Sequence, residues 1–158
     1  MTQRQMSLAL LISATTSHPA SWLHPEADNR PPTELDFYVD TAKLAEEGRF
    51  DLFFIADSLA ARTENLHAWS RFPMYMNNLE PVTLLTALAG HVKRIGLGAT
   101  VSTSFAEPYN VARQFVSLDH LSHGRAAWNV VTSANDYAAR NFGHAQMPLH
   151  AERYERAS

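Results

Sequence analysis

The chain has 158 residues, of which 46% are hydrophobic, and this is enough for one domain with a real core. Its net charge of −3, with Lys and Arg scattered along the chain, gives no basic footprint and disfavours binding to nucleic acid or an anionic membrane. The absence of cysteine excludes disulfides, thiolate metal sites and a cysteine nucleophile. The N-terminal apolar run is too short for a membrane span and lacks a signal-peptide cleavage pattern, so we expect a cytoplasmic protein.

The first predicted elements alternate between strand and helix. A nearly continuous apolar run at residues 6–13 predicts a strand covered on both faces, and the proline-rich segment after it predicts a long loop. Thr33 is expected to cap a helix that Gly48 ends. A second apolar strand at residues 50–56 ends at Asp57, whose carboxylate must find hydrogen-bond donors because burying it unpaired would be costly.

The second half of the chain repeats this alternation. An excursion rich in aromatic residues and methionine precedes it, and a polar loop is expected at residues 134–149. The remaining apolar patterns predict helices at 80–92 and 108–122, each followed by a strand, at 95–101 and 126–131. A final segment at 150–158 has helical composition.

The strand and helix order predicts a parallel α/β sheet with right-handed crossovers. A doubly wound sheet would ordinarily carry a glycine-rich phosphate turn after its first strand, and the segment TTSHPASW has none. A TIM (β/α)8 barrel is therefore favoured. Because such a barrel has about 250 residues, we expect residues 1–158 to be the N-terminal half of a single barrel domain, with roughly the first four βα units, truncated within the fourth helix.

Polar side chains follow three of the predicted strands. These are Asp57, Thr103 and Asn129. Active sites of barrels lie at the C-terminal ends of the strands, so we expect these three side chains to be neighbours. Each also has a plain structural interpretation: Asp57 could cap the next segment or pair with an arginine, Thr103 could bond the backbone, and Asn129 could be satisfied by barrel backbone.

Two histidines near the end of a predicted helix have a spacing that also occurs in metal sites. His120 and His123 are three residues apart, with Asp119 beside them. No third ligand of known position converges on them, and positive charge is favoured at a helix C-terminus. We therefore expect no metal site.

Several long segments together resemble a known family. They are Trp22-Leu23-His24-Pro25, FDLFFIAD ending in Asp57, GLGATVSTSFAEPYNVARQF from Gly96, SLDHLSHGRAAWNVVTS and HAERYERA. The chain resembles the bacterial-luciferase-like flavin-dependent monooxygenases, in the branch of nitrilotriacetate monooxygenase component A and dibenzothiophene-sulfone monooxygenase. This resemblance implies a TIM barrel that uses reduced FMN from a separate NAD(P)H:flavin reductase, and O₂, to form a flavin peroxide that oxygenates a small organic substrate.

The resemblance also implies cofactor contacts. It places FMN contacts at Asp57, Thr103, His150 and Tyr154, and assigns no catalytic residue. Asn129 is a further candidate because an amide offers both donors and acceptors to the flavin ring. On a helix, His150 and Tyr154 would share one face, either toward the cofactor or as a plain surface pair.

The loop after the first strand is expected to lie over the mouth of the barrel. Its Trp22 and His24 are candidates for lining the substrate cavity. Met74, Tyr75 and Met76, in the later excursion, are expected to cover the core rather than to recognise a ligand.

Two alternatives stay open. One is a truncated, non-catalytic half barrel, and the other is an oxidoreductase that uses coenzyme F420 on the same fold. Barrels often grip the cofactor phosphate with loops after strands seven and eight, so we expect this chain alone to bind FMN weakly and to show no turnover. The exposed edges of a half barrel predict a homo-oligomer.

Overall fold

The structure, a computed structural model, describes residues 5–12, 20–28, 30–61, 65–67 and 78–158. The strands are β1 Ala9–Ile12, β2 Leu52–Ile55, β3 Gly96–Ser102 and β4 Ala126–Val131. The helices are α1 Leu35–Glu47, α2 Pro81–Ala89, α3 Pro108–Ser122, α4 Asp136–Asn141 and α5 His150–Ala157, and a 3-10 helix spans Ser21–Leu23. Met74, Tyr75 and Met76 lie outside the described residues.

The four strands form one parallel sheet in the order β1-β2-β3-β4. Ala9 pairs with Leu52, which pairs on its other side with Gly96, and Leu97 pairs with Ala126. A doubly wound sheet would reverse its strand order part-way, whereas this order never reverses. Right-handed crossovers then place every connecting helix on the same face of the sheet. The described chain is therefore a partial barrel, which confirms the predicted fold class.

The hydrophobic core lies between the helices and the outer face of the sheet. Strand residues alternate, so one set packs against the helices and the other faces the barrel interior. The completely or almost completely buried members are Ala42, Phe53, Leu85, Leu88, Ile95, Leu97, Ala99 and Leu118. None of the described helices is long and apolar enough to cross a lipid bilayer.

Helix α1 begins later than the sequence predicts. Its N-cap residue is Glu34, and no side chain caps it, so the prediction that Thr33 caps this helix is wrong. The reason is local: the Glu34 N–H donates to the Pro31 carbonyl at 3.0 Å, which places Thr33 inside a turn that precedes the helix. Gly48 ends α1 as predicted.

The segment after β4 contains a helix where a polar loop is predicted. Helix α4 has Asn135 as its N-cap, and the Asn135 Oδ1 accepts a hydrogen bond from the Ala138 N–H at 3.0 Å. Ala138 and Ala139 are both buried. Two alanines are too short an apolar pattern to predict a helix, so tertiary burial rather than periodicity decides this element.

The end of α3 matches its prediction. His123 and Gly124 both adopt left-handed backbone conformations, with φ of 59° and 82°. The Gly124 N–H donates to the Asp119 carbonyl at 2.8 Å, which satisfies one of the free carbonyls of the last turn. The chain then turns directly into β4, whose bounds are those predicted from the sequence.

Candidate functional site

A cavity of about 600 Å³ opens at the carboxyl ends of β2, β3 and β4. This is within the usual size range of small-molecule sites. Its wall combines apolar with hydrogen-bonding side chains, including Phe54, Asp57, Thr100, Asn129, Val131, Ser133, Asn135, Ala138 and Tyr154. The cavity therefore occupies the place where barrel enzymes bind their ligands.

Asn129 lies on the wall of this cavity beside Thr100. The two residues are partners in the β3–β4 register, and strand alternation turns both toward the barrel interior. The Asn129 Nδ2 donates to the Thr100 Oγ1 at 3.0 Å. Thr100 is buried, whereas Asn129 is exposed. The amide nitrogen is thus engaged by a side chain rather than by backbone, and the amide oxygen is left for a ligand.

Asp57 lies half-buried at the end of β2 and also lines the cavity. Its Oδ1 accepts a hydrogen bond from the Ser58 N–H at 2.8 Å, and no ion pair forms with it in the described part of the chain. Burial raises the pKa of the Asp57 carboxyl, the Ser58 hydrogen bond opposes this, and the negative charge of Glu80 adds to it. The site therefore contains a carboxyl group that ionises less readily than an exposed one.

Thr103 does not line this cavity. Its Oγ1 and its backbone N–H both donate to the Val131 carbonyl, at 3.3 and 2.9 Å. The structure thus places Thr100 rather than Thr103 beside Asn129, because Thr100 shares the inward phase of β3 and Thr103 follows the end of the strand. A role for Thr103 in cofactor binding stays a prediction.

His150 and Tyr154 lie one turn apart on α5. Their ring centroids are 4.6 Å apart, so the two rings share one face of the helix. Tyr154 lines the cavity although it is 55% exposed. His150 is exposed and packs against the Tyr154 ring, but it is not among the residues that line the cavity.

A set of hydroxyl contacts that the sequence reasoning missed joins the ends of β3 and β4. The Ser133 Oγ donates to the Ser102 Oγ at 2.8 Å, and the Ser104 Oγ donates to the Thr132 carbonyl. Ser133 has a φ of 51°, a left-handed conformation that is costly for a residue other than glycine. The hydroxyl-rich segments are visible in the sequence, but their pairing depends on strand register.

Two arginines of α5 were also missed. Arg153 donates to the carbonyls of Thr132 and Ser133, and Arg156 donates to the carbonyl of Thr103. Both arginines therefore connect the last helix to the loops that border the cavity. Nothing in the sequence pattern distinguishes them from other arginines on a helix surface.

The predicted role of the loop after β1 in lining the substrate cavity stays a prediction, because much of that loop lies outside the described residues. The side chain of Trp22 lies outside what the structure describes. His24 is exposed, its Nδ1 accepts a hydrogen bond from the Glu26 N–H at 3.2 Å, and it is not among the cavity residues. In the described ranges, no three His, Asp or Glu side chains converge as a metal site would require.

Comparison with known proteins identifies the family. The profile of the family described as Luciferase-like monooxygenase matches residues 11–158. The chain is 44% identical over 155 residues to N-acetyl-S-(2-succino)cysteine monooxygenase of Bacillus subtilis (strain 168), covering 98% of this chain and 34% of the relative. It is 41% identical over 160 residues to nitrilotriacetate monooxygenase component A of Aminobacter aminovorans, covering 98% of this chain and 35% of that relative.

A solved structure leads to the same conclusion. The crystal structure of a riboflavin lyase with modified FMN and riboflavin superimposes with a TM-score of 0.85 at 31% identity, covering 98% of this chain and 36% of that one. The chain spans about a third of the length of the curated relatives it matches. With its parallel partial barrel and a family profile that extends over nearly all of its residues, the chain belongs to the luciferase-like monooxygenase family.

Proposed function

We propose that this sequence supplies the first four βα units of a single-barrel flavin-dependent monooxygenase. Its cofactor would be reduced FMN, and its reaction the transfer of one oxygen atom from O₂ to a small organic substrate. Family membership supports the reaction class. The observation that carries the site is the cavity at the carboxyl ends of β2 to β4, which Asp57, Asn129 and Tyr154 all line.

The residues of the cavity fit a flavin. An isoalloxazine ring has broad apolar faces and an edge that both donates and accepts hydrogen bonds. Phe54, Val131 and Ala138 offer the wall apolar surface, and Asp57 and Asn129 offer polar groups. This combination suits a flat ring with one polar edge better than it suits a wholly charged ligand.

Each polar residue would have a distinct task in holding the ring. Because Thr100 engages the Asn129 amide nitrogen, the Asn129 oxygen would accept a hydrogen bond from a ring N–H. The Asp57 carboxyl, half-buried at the end of β2, would accept a second hydrogen bond from the ring edge, and that bond would offset part of its desolvation. Bound reduced FMN would supply the electrons that activate O₂, with the second oxygen atom leaving as water and the flavin left oxidised.

The last helix would contact the non-ring part of the cofactor. Tyr154 stands at the edge of the cavity with His150 against it, so the tyrosine hydroxyl could donate to the ribityl chain or the phosphate. Thr103 would contribute through the β3 loop that it stabilises. In this proposal, Trp22 and His24 would approach the substrate from the loop after β1.

The proposed reaction needs partners. The reduced flavin would come from a separate NAD(P)H:flavin reductase, and the protein would work as a homo-oligomer. Two relatives are named for N-acetyl-S-(2-succino)cysteine and nitrilotriacetate, small molecules with several carboxylate groups. Small polycarboxylates are therefore the first substrate class to test, with incorporation of ¹⁸O from ¹⁸O₂ as the readout.

An equilibrium flavin titration of the complete protein that contains this sequence tests the proposal. We expect saturable binding of FMN, and we expect Asn129→Ala to raise the Kd about tenfold because one hydrogen bond in a desolvated site is lost. Asn110→Ala is the matched control, since Asn110 lies on α3 in a groove away from the cavity. Absence of FMN binding to the unaltered protein would contradict the proposal, and binding of F420 instead would favour the deazaflavin alternative.

A further inference from the structure

We infer that Arg153 and Arg156 are positioning residues that hold helix α5 over the cavity and thereby place Tyr154 at its edge. The inference rests on the proposed function, because the position of Tyr154 matters to catalysis only if the cavity takes a flavin. It assigns the two arginines no contact with the cofactor.

Helix α5 is not held in place by apolar burial. None of its eight residues is buried, and Tyr154 itself is 55% exposed. A helix of this length is unstable alone in water, and surface helices normally dock by burying an apolar face. Something other than the hydrophobic core must therefore fix where α5 lies.

Arg153 binds the end of β4. Its Nη1 donates to the Thr132 carbonyl at 3.4 Å and also to the Ser133 carbonyl. Ser133 is the residue with the left-handed backbone, and its hydroxyl donates to Ser102 at 2.8 Å. Because hydrogen bonds from a guanidinium are stronger than neutral ones, Arg153 both docks the helix and supports a strained turn of the cavity wall.

Arg156 binds the loop after β3. Its Nε donates to the Thr103 carbonyl at 3.1 Å, and its Nη2 donates to the Ala106 carbonyl at 3.4 Å and to the Glu107 Oε1 at 3.2 Å. Residues three apart lie on the same side of a helix, so the two arginines together reach the ends of β3 and β4. Tyr154 lies between them in the sequence, and its position at the cavity edge follows from these two attachments.

The role of Arg153 is tested by flavin titration of the complete protein in a double-mutant cycle with Tyr154. We expect Arg153→Met to raise the Kd for FMN about tenfold, and Tyr154→Ala to raise it by a similar factor. If the arginine acts by placing the tyrosine, the Kd of the double variant for FMN should also be raised only about tenfold. A loss of about a hundredfold would mean that the two residues act independently, and that result, like no loss from Arg153→Met alone, would overturn the inference.

Controls separate positioning from general destabilisation. Arg140→Met removes an arginine of α4 that stacks on Tyr137, and in the described part of the chain its guanidinium bonds none of the carbonyls that Arg153 and Arg156 bind, so this change should leave the Kd unchanged. Arg153→Lys keeps the charge and should restore part of the affinity. If Arg153→Met does not fold, the same cycle with Arg156→Met decides the question, because that arginine binds the other loop. Failure of the unaltered protein to bind FMN would refute the proposed function, whereas binding that neither arginine affects would refute this inference alone.

Discussion

The two ends of the strands differ in how their polar groups are used. At the amino ends, which we call the base, side chains tie one βα unit to the next by bonding backbone groups. At the carboxyl ends, which we call the rim, Asp57 and Asn129 keep acceptor atoms that no protein donor takes up in the described part of the chain. The base therefore uses its polar side chains to bond backbone groups, whereas the rim combines such contacts with two side chains that retain free acceptor atoms.

The base is held by a carboxylate and a guanidinium that each bond several backbone groups. The Glu46 Oε1 accepts from three successive N–H groups, those of Lys93, Arg94 and Ile95. The Arg125 guanidinium donates to the carbonyls of Ala89, Val92, Ile95 and Ser122. These two side chains join the ends of α1, α2 and α3 to the starts of β3 and β4.

The rim carries local backbone strain and a carboxyl group that has no ion-pair partner among the described residues. Ser133 holds a left-handed backbone, and burial raises the pKa of Asp57. Both features reduce stability at the place where the proposed ligand would bind. Removing a polar group that is kept at a binding site at the expense of stability should raise the free energy of unfolding of the protein. Removing one of the polar side chains of the base should lower it.

The largest effect is expected from removing the base arginine. Arg125→Met should lower the free energy of unfolding by about 3 kcal/mol, because the four carbonyls that the guanidinium satisfies lose their donor. Urea denaturation measures the change. Arg113→Met, an exposed arginine of α3 that stacks on Tyr109, is the control and should change it little. A loss below about 0.5 kcal/mol would show that the base arginine contributes no more than a surface side chain.

A smaller loss in the free energy of unfolding is expected when Glu46, the glutamate of the base, is replaced. Glu46→Gln should cost about 1 kcal/mol at neutral pH, because the charge that strengthens its hydrogen bonds is lost. Partial burial raises the pKa of Glu46, but the three N–H donors outweigh it and the net pKa is lowered. The stabilisation is thus present above the unfolded-state pKa of about 4.3 and is lost as the pH falls through the lower folded value.

Urea denaturation across a pH series checks this second prediction. The unaltered protein and Glu46→Gln should differ at neutral pH and converge in acid, while Glu47→Gln, at the neighbouring exposed position, should show no such trend. A difference that stayed constant down to low pH would contradict the proposed role of the ionised carboxylate.

The smallest change in the free energy of unfolding is expected at the rim, and there the change is an increase. Asp57→Asn should stabilise the fold slightly at neutral pH while weakening FMN binding. Because the folded pKa of Asp57 is raised, ionisation favours the unfolded chain, and this penalty is absent below the unfolded-state pKa of about 3.9. The urea midpoint of the variant should therefore exceed that of the unaltered protein at pH 7 and equal it in acid. A lower midpoint at pH 7 would show that Asp57 stabilises the rim.

The repeating elements could be predicted from the sequence because their signals are local. Apolar runs, proline at the first turn of α2 and α3, and the glycine after α3 place most element boundaries within a few residues. The sequence does not predict helix α4, because its burial depends on tertiary contacts. Its two buried alanines, Ala138 and Ala139, pack only once the rest of the barrel wall has formed. Residue type alone predicts Thr33 as the cap of α1, whereas the turn closed by the Pro31 carbonyl decides where this helix starts.

The candidate site could be predicted only in part. Asp57 and Asn129 are predicted as site residues from their positions at strand ends, and Tyr154 is predicted from the family resemblance. All three line one cavity. The position of Thr100 beside Asn129 depends on the β3–β4 register, which periodicity alone does not fix. The arginine contacts of α5 depend on how a helix without buried residues lies over the rim, and no local pattern contains that information.

The most direct test of a flavin site at the rim is a crystal structure of the complete protein with FMN bound. The account predicts that the isoalloxazine ring lies in the cavity at the carboxyl ends of β2 to β4, within hydrogen-bonding distance of Asp57 and the Asn129 amide oxygen. A ring bound elsewhere, such as in the outer groove between α2 and α3, or one that leaves Asp57 and Asn129 without contact, would contradict it.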